Sequence, residues 1–205
     1  MPVDVDARAR LDAIAEATVE QAKQGGPRAV TIRTVAARLG GSTTKVTHYV
    51  RTRGELFANA VRRVEQEWRA ELATVLAGVT GRERLVTFID WWTTGTGRYN
   101  IFRSMWVEML AMRESDEAVG RAVRHEARAE RDEMVAALTE ARVADPNLNA
   151  DLLYLLLRGF NISTVEDPDN WSGERGRRAA LALLDLMADE RAPSPEPATS
   201  PAGCP

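Results

Sequence analysis

The side chains with the clearest chemistry lie between Ser42 and Tyr49, in the run STTKVTHY. At about 100° per residue, a helix there turns Val46 and Val50 to one side, with Thr44 and His48 nearly opposite and Lys45 and Thr47 flanking them. The outward face is short, polar and rich in hydrogen-bond donors and acceptors. A helix laid in the major groove needs this arrangement, with an apolar side to seat it and polar groups to read base edges. A solvated surface helix would carry the same pattern, so the elements that hold this segment matter.

Thr31 can cap a preceding helix in which Ile32, Val35, Ala36 and Leu39 fall at i, i+3, i+4 and i+7. Gly40 ends that helix, and Ser42 can accept a hydrogen bond from the free N–H groups of the next. The form is a helix-turn-helix. An earlier helix, about Asp6 to Gln24, carries Leu11, Ile14 and Thr18 on one stripe and stops at Gly25-Gly26-Pro27. Three such helices can hide Leu11, Ile14, Ile32, Val35, Leu39, Val46 and Val50 together.

Charge narrows the choice of partner. The 205-residue chain is mildly acidic, with a formal net charge of −3. Yet between Gly26 and Arg63 the basic residues Arg28, Arg33, Arg38, Lys45, Arg51, Arg53, Arg62 and Arg63 face Glu55 as the only acid. A local positive segment in an acidic protein is the footprint of phosphate neutralisation. A solvated arginine face would normally carry interspersed acids, as residues 113 to 142 do.

The rest of the chain reads as capped helices with no convincing strand, so an all-α fold is expected. Thr52 and Glu55 stand in the capping-box relation, and Phe57, Ala60, Val64, Trp68, Leu72 and Val75 continue one face of a long connecting helix to about Ala77. Thr80 and Glu83 repeat the box before Leu85, Phe88, Ile89 and Trp92. Asn100 to Arg113 forms a further helix. Ser115 is expected to cap a charged helix ending near Arg142, where Asp145 and Pro146 break the chain. Asn149 is expected to cap a segment whose leucines, Leu152 to Leu157, surround the helix, and Ser172 with Glu174 opens the last one.

A helix apolar all round must be buried on all sides. Two such helices at the end of the chain suggest burial against a second copy, with a central helix enclosed in a monomer as the alternative. Leu152, Leu153, Leu156, Leu183, Leu184 and Met187 are the expected dimer face. From Ala192 the proline-rich tail reads as disordered. Its Cys204 is the single cysteine, so neither an internal disulfide nor a cysteine metal cluster can form. No stretch is apolar enough to span a bilayer and no leader opens the chain, which points to the cytoplasm.

In this order of elements, and in TIRTVAARLGGSTTKVTHYVRTRGELF over residues 31 to 57, the chain resembles the TetR family of transcriptional repressors. The resemblance implies a helix-turn-helix unit over residues 1–51, a helical ligand-binding and dimerisation domain over 52–191, and a tail over 192–205. It also implies a homodimer reading a near-palindromic double-stranded operator and released by a small-molecule effector. Thr43, Thr44, Lys45 and His48 are then candidates for base or near-base contact, and Arg33, Ser42, Tyr49 and Arg53 for the phosphate backbone; Lys45 could do either, and Thr47 belongs to the same DNA-binding set without a separate role. The sequence departs from the family pattern at Thr47, where an aromatic is usual, at Tyr49, often His, and at Val50, usually Phe.

The dense aromatic and methionine segment supplies the expected effector pocket, with Trp92, Phe102, Met105, Trp106 and Met109 as its lining, although the same stripe could be plain core. Glu108, His125 and Asn161 are possible polar contacts. No cofactor or metal is expected. Neither His48 nor His125 sits in a metal-binding spacing, there is no glycine-rich phosphate loop, and catalysis is the least favoured reading. A helical dimerisation module without DNA binding is the intermediate alternative.

Overall fold

The computed structural model describes residues 2–189. Among them the chain is all helical: α1 (Pro2–Gly25), a 3-10 turn (Pro27–Ala29), α2 (Ile32–Arg38), α3 (Thr43–Thr47), α4 (Arg53–Val75), α5 (Gly81–Thr94), α6 (Thr96–Met112), α7 (Glu117–Glu140), α8 (Pro146–Glu166) and α9 (Gly173–Asp189). The tail from Ala192, with Cys204, lies outside the described residues.

Local chemistry explains most of the boundaries. Thr31 caps α2 through a reciprocal box, its hydroxyl accepting from the Thr34 N–H while Thr34 Oγ1 accepts from the Thr31 N–H. Gly40 then turns at φ 62°, a left-handed conformation in which a side chain is strained. Thr52 caps α4 by accepting from the Glu55 N–H at 3.0 Å. The return arm differs from the expected box, because Glu55 Oε2 accepts from the Arg51 N–H.

Several caps stand elsewhere than the sequence suggests. Asp116, rather than Ser115, caps α7 by accepting from the N–H groups of Ala118 and Val119. Asp145 caps α8, with Pro146 in its first turn and the Leu148 N–H donating to its carboxylate. The Asp-Pro pair therefore starts a helix rather than ending one, α7 having already closed at Glu140, since proline lacks the N–H that a first turn leaves unused. Asn149 lies inside α8 and donates from Nδ2 to the Ala144 carbonyl at 2.6 Å. Ser42 and Thr80 precede their helices without a side-chain cap bond.

Two apolar clusters form the core. The first joins α1 to α4 and includes Ile14, Val35, Val46, Val50 and Phe57, but it also takes in Met105, Trp106 and Met109 from α6 and Val119 and Val123 from α7. Phe57 is fully enclosed, and such a side chain contributes roughly 1.5–3 kcal/mol on burial. The helix-turn-helix unit is thus packed directly onto the following helices, with no solvated gap at residue 51. The second cluster gathers Leu85, Ile89 and Trp92 with Met134, Leu138, Leu153, Leu157, Leu184 and Met187. Leu39, expected within the first cluster, ends α2 and is 40% exposed, because the chain turns away at Gly40 before it can be covered.

The junction between α4 and α7 is tight. A Cβ on Gly54 would collide with the Asp116 carboxylate and the Val119 methyl, so only glycine lets the first turn of α4 approach α7 this closely. Thr52 Oγ1 donates to Asp116 Oδ2 at 2.7 Å in the same place.

Candidate nucleic-acid interface and sensor

The polar face expected on α3 is present. Thr43, Thr44, Lys45 and His48 are exposed, while Val46 and Val50, at 2% and 3% exposure, anchor the segment to the first core. Thr47 is half-buried and its hydroxyl donates to the Thr44 carbonyl at 3.3 Å, which satisfies it locally. The Tyr49 ring is half-buried against the first core, with its plane at 90° to that of His48. Arg33 and Ser42 are exposed beside this face, as are Arg38 and Arg51.

Arg53 is placed differently from expectation. Its Nε donates to the Val30 carbonyl at 3.0 Å, and its Nη2 donates to the Pro27 carbonyl at 3.0 Å and to Glu108 Oε2 at 3.1 Å. The guanidinium also stacks 4.7 Å above the Phe57 ring. A planar fork with several fixed donors suits this task, tying the 3-10 turn, α4 and α6 together. Arg53, 32% exposed, is therefore held by contacts within the protein. Glu108, considered as an effector contact, is its partner, with exposed Arg28 a further 3.8 Å from the same carboxylate.

The aromatic and methionine stripe is mainly core. Trp92, Met105, Trp106 and Met109 are all at most 7% exposed, and Phe102 packs beside them. The aromatic part of the stripe meets a residue absent from the expected lining: Trp68 of α4 stacks on Trp91 at 4.8 Å, meets Trp92 at a tilt at 4.7 Å and lies 5.8 Å from Phe102. Its position on the α4 stripe was the available signal. Among the expected lining residues, Trp106 and Met109 do border a cleft, of about 490 Å³, between α1, the end of α3, α4, α6 and α7. Trp92, Phe102 and Met105 border neither this cleft nor a second one of about 300 Å³ between α4, α5 and α7.

Several buried polar groups of this helical region have shifted titration. Glu65 of α4, 6% exposed, is pushed well above the ordinary carboxylate range, first by burial and then by the neighbouring Glu126. Glu130 is raised to about 7 by burial, against the opposing pull of Arg158, which donates to it. Burial lowers Arg103 to about 10, and its Nε donates to Asn161 Oδ1 at 2.9 Å. Asn161 is thus held by an arginine, whereas His125 is exposed on the rim of the larger cleft. No group of histidine, cysteine and carboxylate side chains that could hold a metal occurs among the described residues.

The model for the C-terminal domain of BetI-type transcriptional repressors matches residues 81–189. The chain belongs to the TetR family of transcriptional regulators. No curated protein matches its sequence. Solved structures agree in fold. A TetR regulator from Haloarcula marismortui superposes with a TM-score of 0.78 at 20% identity, covering 88% of this chain and 98% of that one. A transcriptional regulator from Pseudomonas aeruginosa PAO1 gives 0.73 at 23% identity over 88% and 91%. A regulator from Saccharomonospora viridis, solved in complex with choline, gives 0.74 at 17% identity over 87% and 96%.

This TetR-family chain differs from the sequence-based expectation at the surface formed by α8 and α9. Leu153, Leu184 and Met187, expected at a dimer face, fill the protomer's own second core at 1%, 3% and 3% exposure. Leu156 and Leu183 are half-buried against that core. Leu152 stays outward at 42%, and it is joined by Leu148, Leu155 and Leu186 at 54%, 65% and 66%. No helix among the described residues is long and apolar enough to cross a membrane.

Proposed function

We propose that this regulator binds a near-palindromic DNA operator as a homodimer, represses transcription from it, and is released by a small-molecule effector. The observation that carries the reading is the outward set Thr43, Thr44, Lys45 and His48 on a short helix anchored by Val46 and Val50. That set can read base edges while exposed Arg33 and Arg51 neutralise flanking phosphates. A solved relative in complex with choline supports a small-molecule effector, and the regulators it resembles support a non-enzymatic role.

The chain's own upstream DNA, assayed for mobility shift at low salt and by selection of bound sequences, should return a palindrome. Lys45→Ala should weaken specific binding by one to two orders of magnitude and reduce the slope of log affinity against log salt by about 1 if Lys45 meets phosphate. Failure of the wild-type protein to shift any selected DNA would end the reading.

Two recognition helices need a rigid spacing of roughly 34 Å, which a dimer supplies. The outward leucines on α8 repeat at i, i+4 and i+7 and form, with Leu186 on α9, the face proposed for the second copy. Leu155→Glu should convert a dimer mass to a monomer mass in light scattering, with helicity kept, because Leu155 makes little of the protomer's own core. An unchanged dimer would place the interface elsewhere.

A further inference from the structure

Two helix caps meet at the corner where the helix-turn-helix unit joins the helices that follow it. Thr52 Oγ1 accepts from the Glu55 N–H at the start of α4 and donates to Asp116 Oδ2 at 2.7 Å. Asp116 in turn caps α7, its Oδ1 accepting from the N–H groups of Ala118 and Val119 at 3.1 and 3.2 Å. One hydroxyl and one carboxylate thus serve both helix ends, and each keeps its own cap while it bonds the other. A carboxylate suits the place, because both helix N-termini present partial positive charge to it.

The corner that carries Asp116 is itself held in place. The Asp116 N–H donates to the Met112 carbonyl at the end of α6 at 2.9 Å, and its own carbonyl accepts from the Gly120 N–H at 2.9 Å. A Cβ on Gly120 would stand 2.7 Å from the Arg113 carbonyl oxygen, so the turn lies close against α7. On the other side, buried Gly54 lets α4 close on Asp116 and on the fully enclosed Val119. Arg53, between Thr52 and Gly54, reaches Met112 Sδ at 3.4 Å and Glu108 Oε2 at 3.1 Å. The residues from Thr52 to Gly54 are therefore all seated on the corner between α6 and α7, and they begin just after Val50, which anchors the recognition segment.

We propose that Asp116 is a positioning residue for DNA reading: by holding Thr52 it fixes the first turn of α4, and α3 with it, against the helices of the second half. Leverage sets the size of the effect. With 23 residues α4 runs about 35 Å, so its middle lies about 17 Å from Thr52. A tilt of about 10° around that middle would carry the first turn, and the helix-turn-helix unit attached to it, by about 3 Å. Base contacts need donor and acceptor at roughly 2.7–3.2 Å, so a shift of that size breaks them. With the bridge closed, the first turn of α4 becomes the pivot and α3 keeps its place. The consequence for DNA rests on the DNA-binding reading above, whereas the held geometry does not.

The test separates the bridge from the caps. Thr52→Asp keeps an acceptor at the start of α4 but sets a second carboxylate against Asp116. Asp116→Asn keeps the α7 cap and supplies an amide donor, so the double variant Thr52→Asp/Asp116→Asn closes the bridge with its polarity reversed. Spin labels at the exposed positions Arg33→Cys and Arg128→Cys, with Cys204→Ser, report the distance from the helix-turn-helix unit to α7 in full-length protein without DNA, diluted with unlabelled chains. Wild type and the double variant should give one narrow distance distribution, and Thr52→Asp a broad one. Operator affinity should fall about tenfold or more in Thr52→Asp and return to within about threefold of wild type in the double variant. Thr52→Val, with neither hydroxyl nor added charge, should also broaden the distribution, and it decides the matter should the aspartate variant fail to fold. Asp116→Asn alone should bind operator no more tightly than wild type; tighter binding would trace the losses to charge beside the phosphates and overturn the proposal. A narrow distribution in Thr52→Asp, or a double variant no better than Thr52→Asp, would overturn it as well. Wild type with a narrow distribution but no operator binding would count against the regulator reading and not against the bridge.

Discussion

Arg53→Ala should destabilise the protein by about 2–4 kcal/mol while leaving the salt dependence of DNA binding unchanged. The side chain donates to the carbonyls of Val30 and Pro27 and to Glu108, and it covers one face of Phe57. Truncation leaves two backbone carbonyls without this donor, and Glu108 then faces only the exposed Arg28 at 3.8 Å. Because the Arg53 side chain is 32% exposed, water recovers part of the ion-pair energy, and the carbonyl bonds and the removed packing carry most of the loss. For a chain of this size the melting temperature, followed by circular dichroism, should fall by roughly 5–15 °C.

The comparison with Lys45→Ala separates structure from recognition. Truncating an exposed lysine that neutralises a phosphate reduces the counterion slope with little change in melting temperature. Truncating Arg53 should do the reverse. An unchanged melting temperature together with a slope reduced by about 1 would return Arg53 to the phosphate role that its position in the sequence suggests.

Arg53 also marks where sequence reading stops. Its partners Val30, Pro27 and Glu108 lie 23, 26 and 55 residues away, so nothing local distinguishes it from an arginine facing DNA. Features set by nearest neighbours were legible: the Thr31 and Thr52 caps, the break at Gly40, and the inward turn of Val46 and Val50. Caps with two adjacent candidates were resolved only in three dimensions, as at Ser115 and Asp116, where the second residue's carboxylate reaches two N–H groups. The leucines of α8 show a different limit. Their all-round pattern signals more apolar surface than one core can hold, but which ones face inward depends on how α8 meets α7 and α9. Leu153 and Leu157 are enclosed, whereas Leu152 and Leu155 are outward. Glu65 lies four residues after Val61 and beside Val64 on α4, and that apolar setting was the signal that it would be buried.

The buried glutamate has a measurable consequence, in stability against pH. Its carboxyl ordinarily titrates near 4.5, and in the folded protein burial and the neighbouring Glu126 raise it while Arg69 pulls the other way. The folded state therefore binds the proton more tightly than the unfolded chain does. Stability from this group is complete below the unfolded value and is lost as pH rises toward the folded one. Wild type should lose stability from mildly acidic to alkaline pH, with a slope of up to about 1.4 kcal/mol per pH unit for the one proton. Glu130, raised to about 7, adds to the slope in the same direction, but its share ends near neutrality. Glu65→Gln keeps the shape of the protonated acid and cannot ionise. Its urea-unfolding midpoint should vary less with pH and should exceed that of wild type at alkaline pH. Glu130→Gln should flatten the curve only between the ordinary carboxylate range and neutrality, because it removes a group whose ionisation inside the protein is opposed by burial. Parallel curves for wild type and Glu65→Gln would mean that Glu65 titrates as an exposed acid, which would contradict its enclosure between α4 and α7.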